Sequence, residues 1–180
     1  MFKKIGSVSS DDITILKKQI EFSTRPDNKE WFGIRYYDVN SPHLKVLYNL
    51  IPKEVHQDFY ASVLVINDDL PAHTDIVETA CFNCYIRPGG YTTSFYDSKT
   101  NAVGITYADH GEGHTYDLSD LIFKGSFQAQ PLEIYLINNK MIHGVLTDEV
   151  AKPTREVLQL ATNKYSYDEV CGMLNGMDTI

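Results

Sequence analysis

The sequence predicts a mainly β protein with flanking helices, folded as one antiparallel sandwich or barrel. Three observations carry that expectation. From position 58 onward, short apolar runs with period-two alternation follow one another, whereas apolar spacing before it is helical. Clusters of Gly, Pro, Asn and Asp separate the runs at short intervals. The chain has 180 residues, 43% hydrophobic and 22% charged, enough to bury the core of one domain.

Taken in order, residues 1–57 are expected to form a helical N-terminal cover. "DDITILKKQIEF" (11–22) spaces Ile13, Leu16 and Ile20 helically behind the capping candidates Ser10 and Asp11. "STRPDNKE" is a loop. "SPHLKVLYNLIPKEVHQDF" (41–59) opens on Ser-Pro and presents Leu44, Leu47, Tyr48 and Ile51 on one face until Pro52 interrupts it. Residues 58–163 are the β core, with strands expected near 58–67, 79–87, 91–97, 102–108, 121–129, 131–138 and 155–162. "PGG" (88–90) reads as a turn joining the second and third of these into a hairpin. Residues 164–180 carry a C-terminal helix. Ser166 and Glu169 have capping-box spacing there, ahead of the stripe Tyr167, Val170, Cys171 and Leu174.

The formal charge of −8, with a pI of about 5.1, repels a phosphate backbone and argues against nucleic acid as a partner. No leader-like apolar run follows the basic N-terminal residues, and no stretch is long enough to cross a bilayer, so no membrane partner is expected. Three cysteines, Cys81, Cys84 and Cys171, fit reduced thiols in a cytoplasmic setting. Cys81 and Cys84 spell C-x-x-C, but on a strand they point to opposite faces, and no second pair completes a zinc site. The oligomeric state is not legible.

"PAHTDIVETA" (71–80) holds His73 and Asp75 two residues apart, on one face of a strand if a strand forms. Alone, H-x-D is a weak signal, because both residues are common in turns. A third ligand has to come from His43, His56, His110, His114 or His143. His143 has the most telling setting: an apolar strand, a polar turn at 138–140, then a short apolar run around the imidazole. A histidine there needs a partner for its ring nitrogens. Twelve residues later Arg155 opens a strand whose inward face also carries Val157, Gln159 and Ala161. An inward arginine needs an anion, and its planar fork suits a carboxylate. Two histidines, one carboxylate and open positions describe the facial triad of non-haem Fe(II) oxygenases.

"H-T-D" at 73–75, "I-H-G-V" at 142–145 and "R-E-V" at 155–157 resemble the Fe(II)/2-oxoglutarate-dependent dioxygenases, prolyl-hydroxylase-like, over about 60–163. The resemblance implies a double-stranded β-helix, a cupin-like jelly roll. It implies Fe(II) held by His73, Asp75 and His143, with 2-oxoglutarate as co-substrate, O2 as oxidant and ascorbate as an additive in vitro. It also implies that Arg155 pairs with the distal carboxylate of 2-oxoglutarate. Many members read R-x-S where this chain has Val157, so a second contact is sought from Tyr60, Asn83 or Tyr85. The implied reaction hydroxylates a C–H bond of a peptide, amino acid or small molecule and releases succinate and CO2. Asp75 argues against a halogenase, because family halogenases lack this carboxylate.

The expected substrate contacts are Arg87, Tyr91 and Thr93, with Phe95 on the face of Tyr91 and Thr93. "DHGEGHTYD" (109–117) places His110 and His114 four apart, but its glycines favour a loop, a candidate lid over the site. Two other readings stand beside the oxygenase. One is a non-catalytic metal-binding jelly-roll protein. The other is a cupin-like metal-dependent hydrolase or isomerase in which Arg155 binds substrate.

Overall fold

The computed structural model describes residues 1–9, 35–38, 45–99, 105–106 and 113–175. Within them the chain forms β1 (Phe2–Ser7), β2 (Arg35–Asp38), α1 (Lys45–Tyr48), β3 (Tyr60–Ile66), β4 (Leu70–Asp75), β5 (Ala80–Arg87) and β6 (Thr92–Ser98). It continues with β7 (Ile105–Thr106), β8 (Gly113–Thr115), β9 (Leu121–Gln128), β10 (Glu133–Asn138), β11 (Ile142–Leu146), β12 (Arg155–Thr162) and α2 (Tyr167–Asn175).

The strands make two six-stranded antiparallel sheets, ordered β1-β10-β5-β12-β3-β2 and β7-β8-β4-β11-β6-β9. Eight of them explain the architecture. β3, β5, β10 and β12 lie together in the first sheet; β4, β6, β9 and β11 lie together in the second. The chain therefore crosses between sheets at almost every step, which is the winding of a double-stranded β-helix, or jelly roll. The fold is mainly β with few helices, as expected.

The alternation of side chains on β5 and β12 serves two cores. Cys81, Tyr85, Val157 and Ala161 face the second sheet and, with Tyr135 and Ile137 of neighbouring β10, share a core with Phe95 of β6 and Ala129 just after β9. Phe82, Cys84, Leu158 and Leu160 face the other way and pack with Leu47 of α1, Ile51 and Val170 of α2. Cys81 and Cys84 thus lie in different cores, and all three cysteines are free thiols. Burial on both faces makes β5 and β12 central strands and pins their register.

Several expectations change. The 88–90 turn does not make a hairpin: β5 and β6 lie in different sheets. Gly89 and Gly90 both adopt positive φ, at 62° and 70°. Two consecutive left-handed residues carry the chain across the sandwich instead of back along the same sheet. Residues 1–57 are not wholly a helical cover either. β1 pairs with β10, with a register shift between Lys4 and Gly6, and β2 pairs with β3. The long helix expected over 41–59 is, in its described part, the short α1 followed by a 3-10 helix at Lys53–Asp58. Pro52, with φ −59° and ψ 141°, separates the two, because it lacks an N–H and here adopts an extended ψ. The helix at 11–22 and the start of the 41–59 segment lie outside the described residues. Of the 109–117 loop, Gly113–Thr115 is a strand, β8, paired with β4. At the C-terminal helix the capping box forms: Ser166 N–H donates to Glu169 Oε2 at 2.7 Å, and Glu169 N–H donates to Ser166 Oγ at 3.3 Å.

Candidate metal centre

β4 and β11 are antiparallel neighbours, with His143 directly opposite His73 and a register shift before Val145. Asp75 follows His73 by two residues on β4, so the strand's pleat puts both on one face. Pairing and pleat together bring three side chains to one point. His73 Nε2 lies 3.6 Å from Asp75 Oδ1, and His143 Nε2 lies 3.9 Å from Asp75 Oδ2. The imidazole centroids are 4.4 Å apart, and one ligand atom from each of the three residues falls within 4.8 Å of the others.

Backbone contacts set the histidine tautomers. His73 Nδ1 donates to Pro71 O at 2.7 Å, and His143 Nδ1 donates to Met141 O at 2.9 Å. A carbonyl only accepts, so in the neutral ring Nδ1 carries the hydrogen and the Nε2 lone pair points into the site. Burial pushes the pKa of His73 down to about 3, helped by His143 nearby, which keeps the ring in its ligand form at neutral pH. Burial raises the pKa of Asp75, against the opposing pull of His143, Asn139 and Lys140. Two imidazole Nε2 atoms and a carboxylate, held by partners behind them, make a donor set suited to a divalent transition metal. Its residues fit such an ion.

Across the same cavity stands Arg155, only 2% exposed. Its Nη2 donates to Thr93 Oγ1 at 2.9 Å, and its guanidinium carbon sits 4.6 Å from the centre of the Tyr85 ring. Among the described residues, Arg155 Nε and Nη1 are buried without a hydrogen-bond partner, as are the hydroxyls of Tyr85 and Tyr91. A buried guanidinium with unpartnered donors is costly unless an anion completes it. The cavity between this arginine and the triad measures about 70 Å³ and is walled by Leu64, Ile66 and Val157 among others. That is room for several water-sized guests.

Of the residues expected at the site, His73, Asp75, His143, Asn83, Tyr85, Thr93 and Arg155 all line this cavity. Thr93 Oγ1 also accepts from Arg155 Nη2. Tyr91 is 1% exposed and packs with Ile66, Leu70 and Val145 in the wall, outside the lining residues. Tyr60 is not part of the cavity. It is 39% exposed, and its hydroxyl donates to Glu78 at 2.8 Å. Arg87 lies at the exposed end of β5, where its side chain pairs with Glu156 at 3.4 Å. Phe95 is fully buried and stacks on His143, with centroids 6.0 Å apart.

His56 bonds to Ile51 O at 3.2 Å on the outer side of the first sheet, and His114 lies on β8 opposite Thr74. Among the described residues, neither joins a metal-capable cluster. His43 and His110 lie outside them. Asn139, Cys81 and Glu78 also line the cavity, and sequence reasoning placed none of them at the site. For Asn139 no periodic signal existed, since it sits in a turn.

No family model and no curated protein matches this sequence. Solved structures resemble its strand arrangement at low identity. Vicilin from Corylus avellana (hazelnut) is 14% identical with a TM-score of 0.42, over 79% of this chain and 31% of that one. Two variants of Bacillus subtilis oxalate decarboxylase are each 14% identical with TM-scores of 0.39, over 82% and 83% of this chain. The chain spans about a third of the length of these proteins, 29% to 31%.

Proposed function

We propose that this protein is an Fe(II)- and 2-oxoglutarate-dependent oxygenase that hydroxylates a C–H bond of a peptide, amino acid or small molecule. One observation carries the reading. A two-histidine, one-carboxylate set and a buried arginine with open donors face each other across a single cavity. A metal site alone needs only the first half. A dicarboxylate co-substrate with one end at the metal and the other at a cation calls for both.

In this mechanism His73 and His143 offer Nε2 and Asp75 offers its carboxylate to the ion. Bound Fe(II) supplies activation of O2, coupled to oxidative decarboxylation of 2-oxoglutarate to succinate and CO2. Arg155 Nε and Nη1 donate to the far carboxylate of the co-substrate. Thr93 and the Tyr85 ring hold the guanidinium in place from two sides. Apolar walls at Leu64, Ile66 and Val157 limit water around the reacting atoms.

The test incubates the protein with Fe(II), ascorbate and 2-oxoglutarate under air and follows succinate. Succinate formed only when Fe(II), 2-oxoglutarate and air are all present supports the oxygenase. Metal binding without turnover favours a non-catalytic metal protein, and turnover indifferent to 2-oxoglutarate favours a metal-dependent hydrolase or isomerase. His143→Ala is expected to abolish succinate formation. Arg155→Ala is expected to raise the 2-oxoglutarate concentration required by about 100-fold or more, as loss of charge-assisted hydrogen bonds implies.

A further inference from the structure

We infer that Asn139 is a positioning residue that fixes Asp75 for metal binding, and that Cys81 holds the Asn139 amide in the orientation this needs. The inference rests on the metal reading above and adds two residues that bind no ion themselves.

Asn139 is 2% exposed and sits in the turn between β10 and β11. It grips Asp75 twice. Its backbone carbonyl accepts from Asp75 N–H at 3.2 Å, and its side-chain Nδ2 donates to Asp75 Oδ2. Its own N–H donates to Thr79 O at 3.2 Å, which ties the turn to the segment just before β5. The other end of the amide faces Cys81 Sγ at 3.1 Å; the thiol's single hydrogen has two acceptors in reach, Asn139 Oδ1 and Asn83 Oδ1 at 3.5 Å, and the nearer is Asn139. The carboxylate sets which way the amide points: it accepts, so Nδ2 faces Asp75, and Oδ1 is left facing Cys81. Burial pushes the Cys81 thiol pKa well up, reinforced by the charges of Asp75 and Glu78, so the sulfur keeps its proton and remains a donor.

The consequence concerns the carboxylate. With Oδ2 held by Asn139, Oδ1 is the oxygen that faces His73 Nε2, at 3.6 Å. An amide that donates without adding charge orients Asp75 and leaves its negative charge available to an ion. The same turn reaches a second ligand: Met141 O accepts from His143 Nδ1. Lys140, between them, donates through Nζ to the carbonyls of Asp75 and Ile76. Residues 139–141 therefore hold the acid and the far histidine together. Cys81 links the arrangement to β5 in the opposite sheet.

The test titrates Co(II) into the metal-free protein and records both the dissociation constant and the visible absorption spectrum. The spectrum reports coordination geometry, which a purely structural role would leave alone. Wild type, Asn139→Ala and Cys81→Ala are compared, with circular dichroism and thermal melts to establish folding. For Asn139→Ala the expected result is Co(II) binding weakened by about 10–100-fold with a changed spectrum. For Cys81→Ala, which frees the amide to turn, it is a loss of about fivefold, the worth of one neutral hydrogen bond. A folded Asn139→Ala protein with wild-type affinity and spectrum overturns the inference. If that variant does not fold, Cys81→Ala decides: wild-type binding and spectrum overturn the inference, and weakened binding with a changed spectrum upholds it. A wild-type protein that fails to bind Co(II) sinks the metal reading itself, a different result from either.

Discussion

Arg155 Nη2 donates to Thr93 Oγ1 at 2.9 Å, and this hydrogen bond joins the first sheet to the second across the interior of the sandwich. It satisfies one corner of a buried guanidinium whose Nε and Nη1 have no partner among the described residues. In a core shaped only for stability, such a charge is a liability. The metal-free, co-substrate-free protein therefore carries a cost that an anion in the cavity would remove.

Arg155→Met separates that cost from the residue's use. Removing the unpaired charge leaves the melting temperature of the metal-free protein unchanged or higher. In the Mn(II)-loaded wild type, 2-oxoglutarate at a hundredfold excess over its dissociation constant adds about 2.7 kcal/mol of stability. In Arg155→Met that increment is expected to vanish at the same concentration. Thermal melts with and without 2-oxoglutarate read both effects, and an undiminished increment removes Arg155 from the co-substrate site.

Gly144 lies on β11 beside His143, packed against β4. A Cβ built there meets Ala72 N and Leu70 O of β4, each at 3.3 Å, closer than ordinary packing allows. Gly144→Ala is expected to push β11 away from β4 and so separate His143 from His73. The fold has slack to absorb this at the register shift beside it, so the stability loss should stay near 1 kcal/mol. Metal affinity should fall by tenfold or more, as small displacements of ligands imply. Chemical denaturation and metal titration of the same variant separate the two effects.

Proton linkage gives a pH signature for the metal-free protein. His73 titrates at about 3 when folded and near 6.5 when unfolded. Between those values the unfolded chain binds the extra proton, so stability falls as pH drops from about 6.5 toward 3. Asp75 works in the opposite sense: its raised folded pKa means acid relieves the burial of its charge. His73→Gln removes the first contribution and leaves the second. Urea midpoints across this range should therefore fall less steeply on acidification in His73→Gln than in wild type. Equal slopes would mean that His73 is not held neutral by burial.

The candidate ligands were legible because their chemistry is local. His73 and Asp75 share a strand face by spacing alone, and Arg155 stood out as a charge at the head of an apolar strand. The β-rich core was legible through alternation. Strand connectivity was less so. A Pro-Gly-Gly turn announces a change of direction but not whether the chain returns to its own sheet, and Gly89 and Gly90 take it to the other. β1 was invisible for a different reason. Phe2 and Ile5 are three apart and serve opposite faces, Phe2 packing in the inter-sheet core and Ile5 against the outer one. A register shift after Lys4 breaks what remained of the alternation. Asn139 lay in a turn, where polar residues are expected, and only its burial and its grip on Asp75 distinguish it.

The central claim is a convergence: one ion held by His73, Asp75 and His143, and one carboxylate held by Arg155 in the same cavity. Anomalous scattering from crystals grown with Mn(II) and 2-oxoglutarate tests it most directly. The account predicts a single Mn(II) peak bonded to both Nε2 atoms and the Asp75 carboxylate, with the far end of 2-oxoglutarate on Arg155. A peak elsewhere, or a co-substrate that leaves Arg155 untouched, would contradict it.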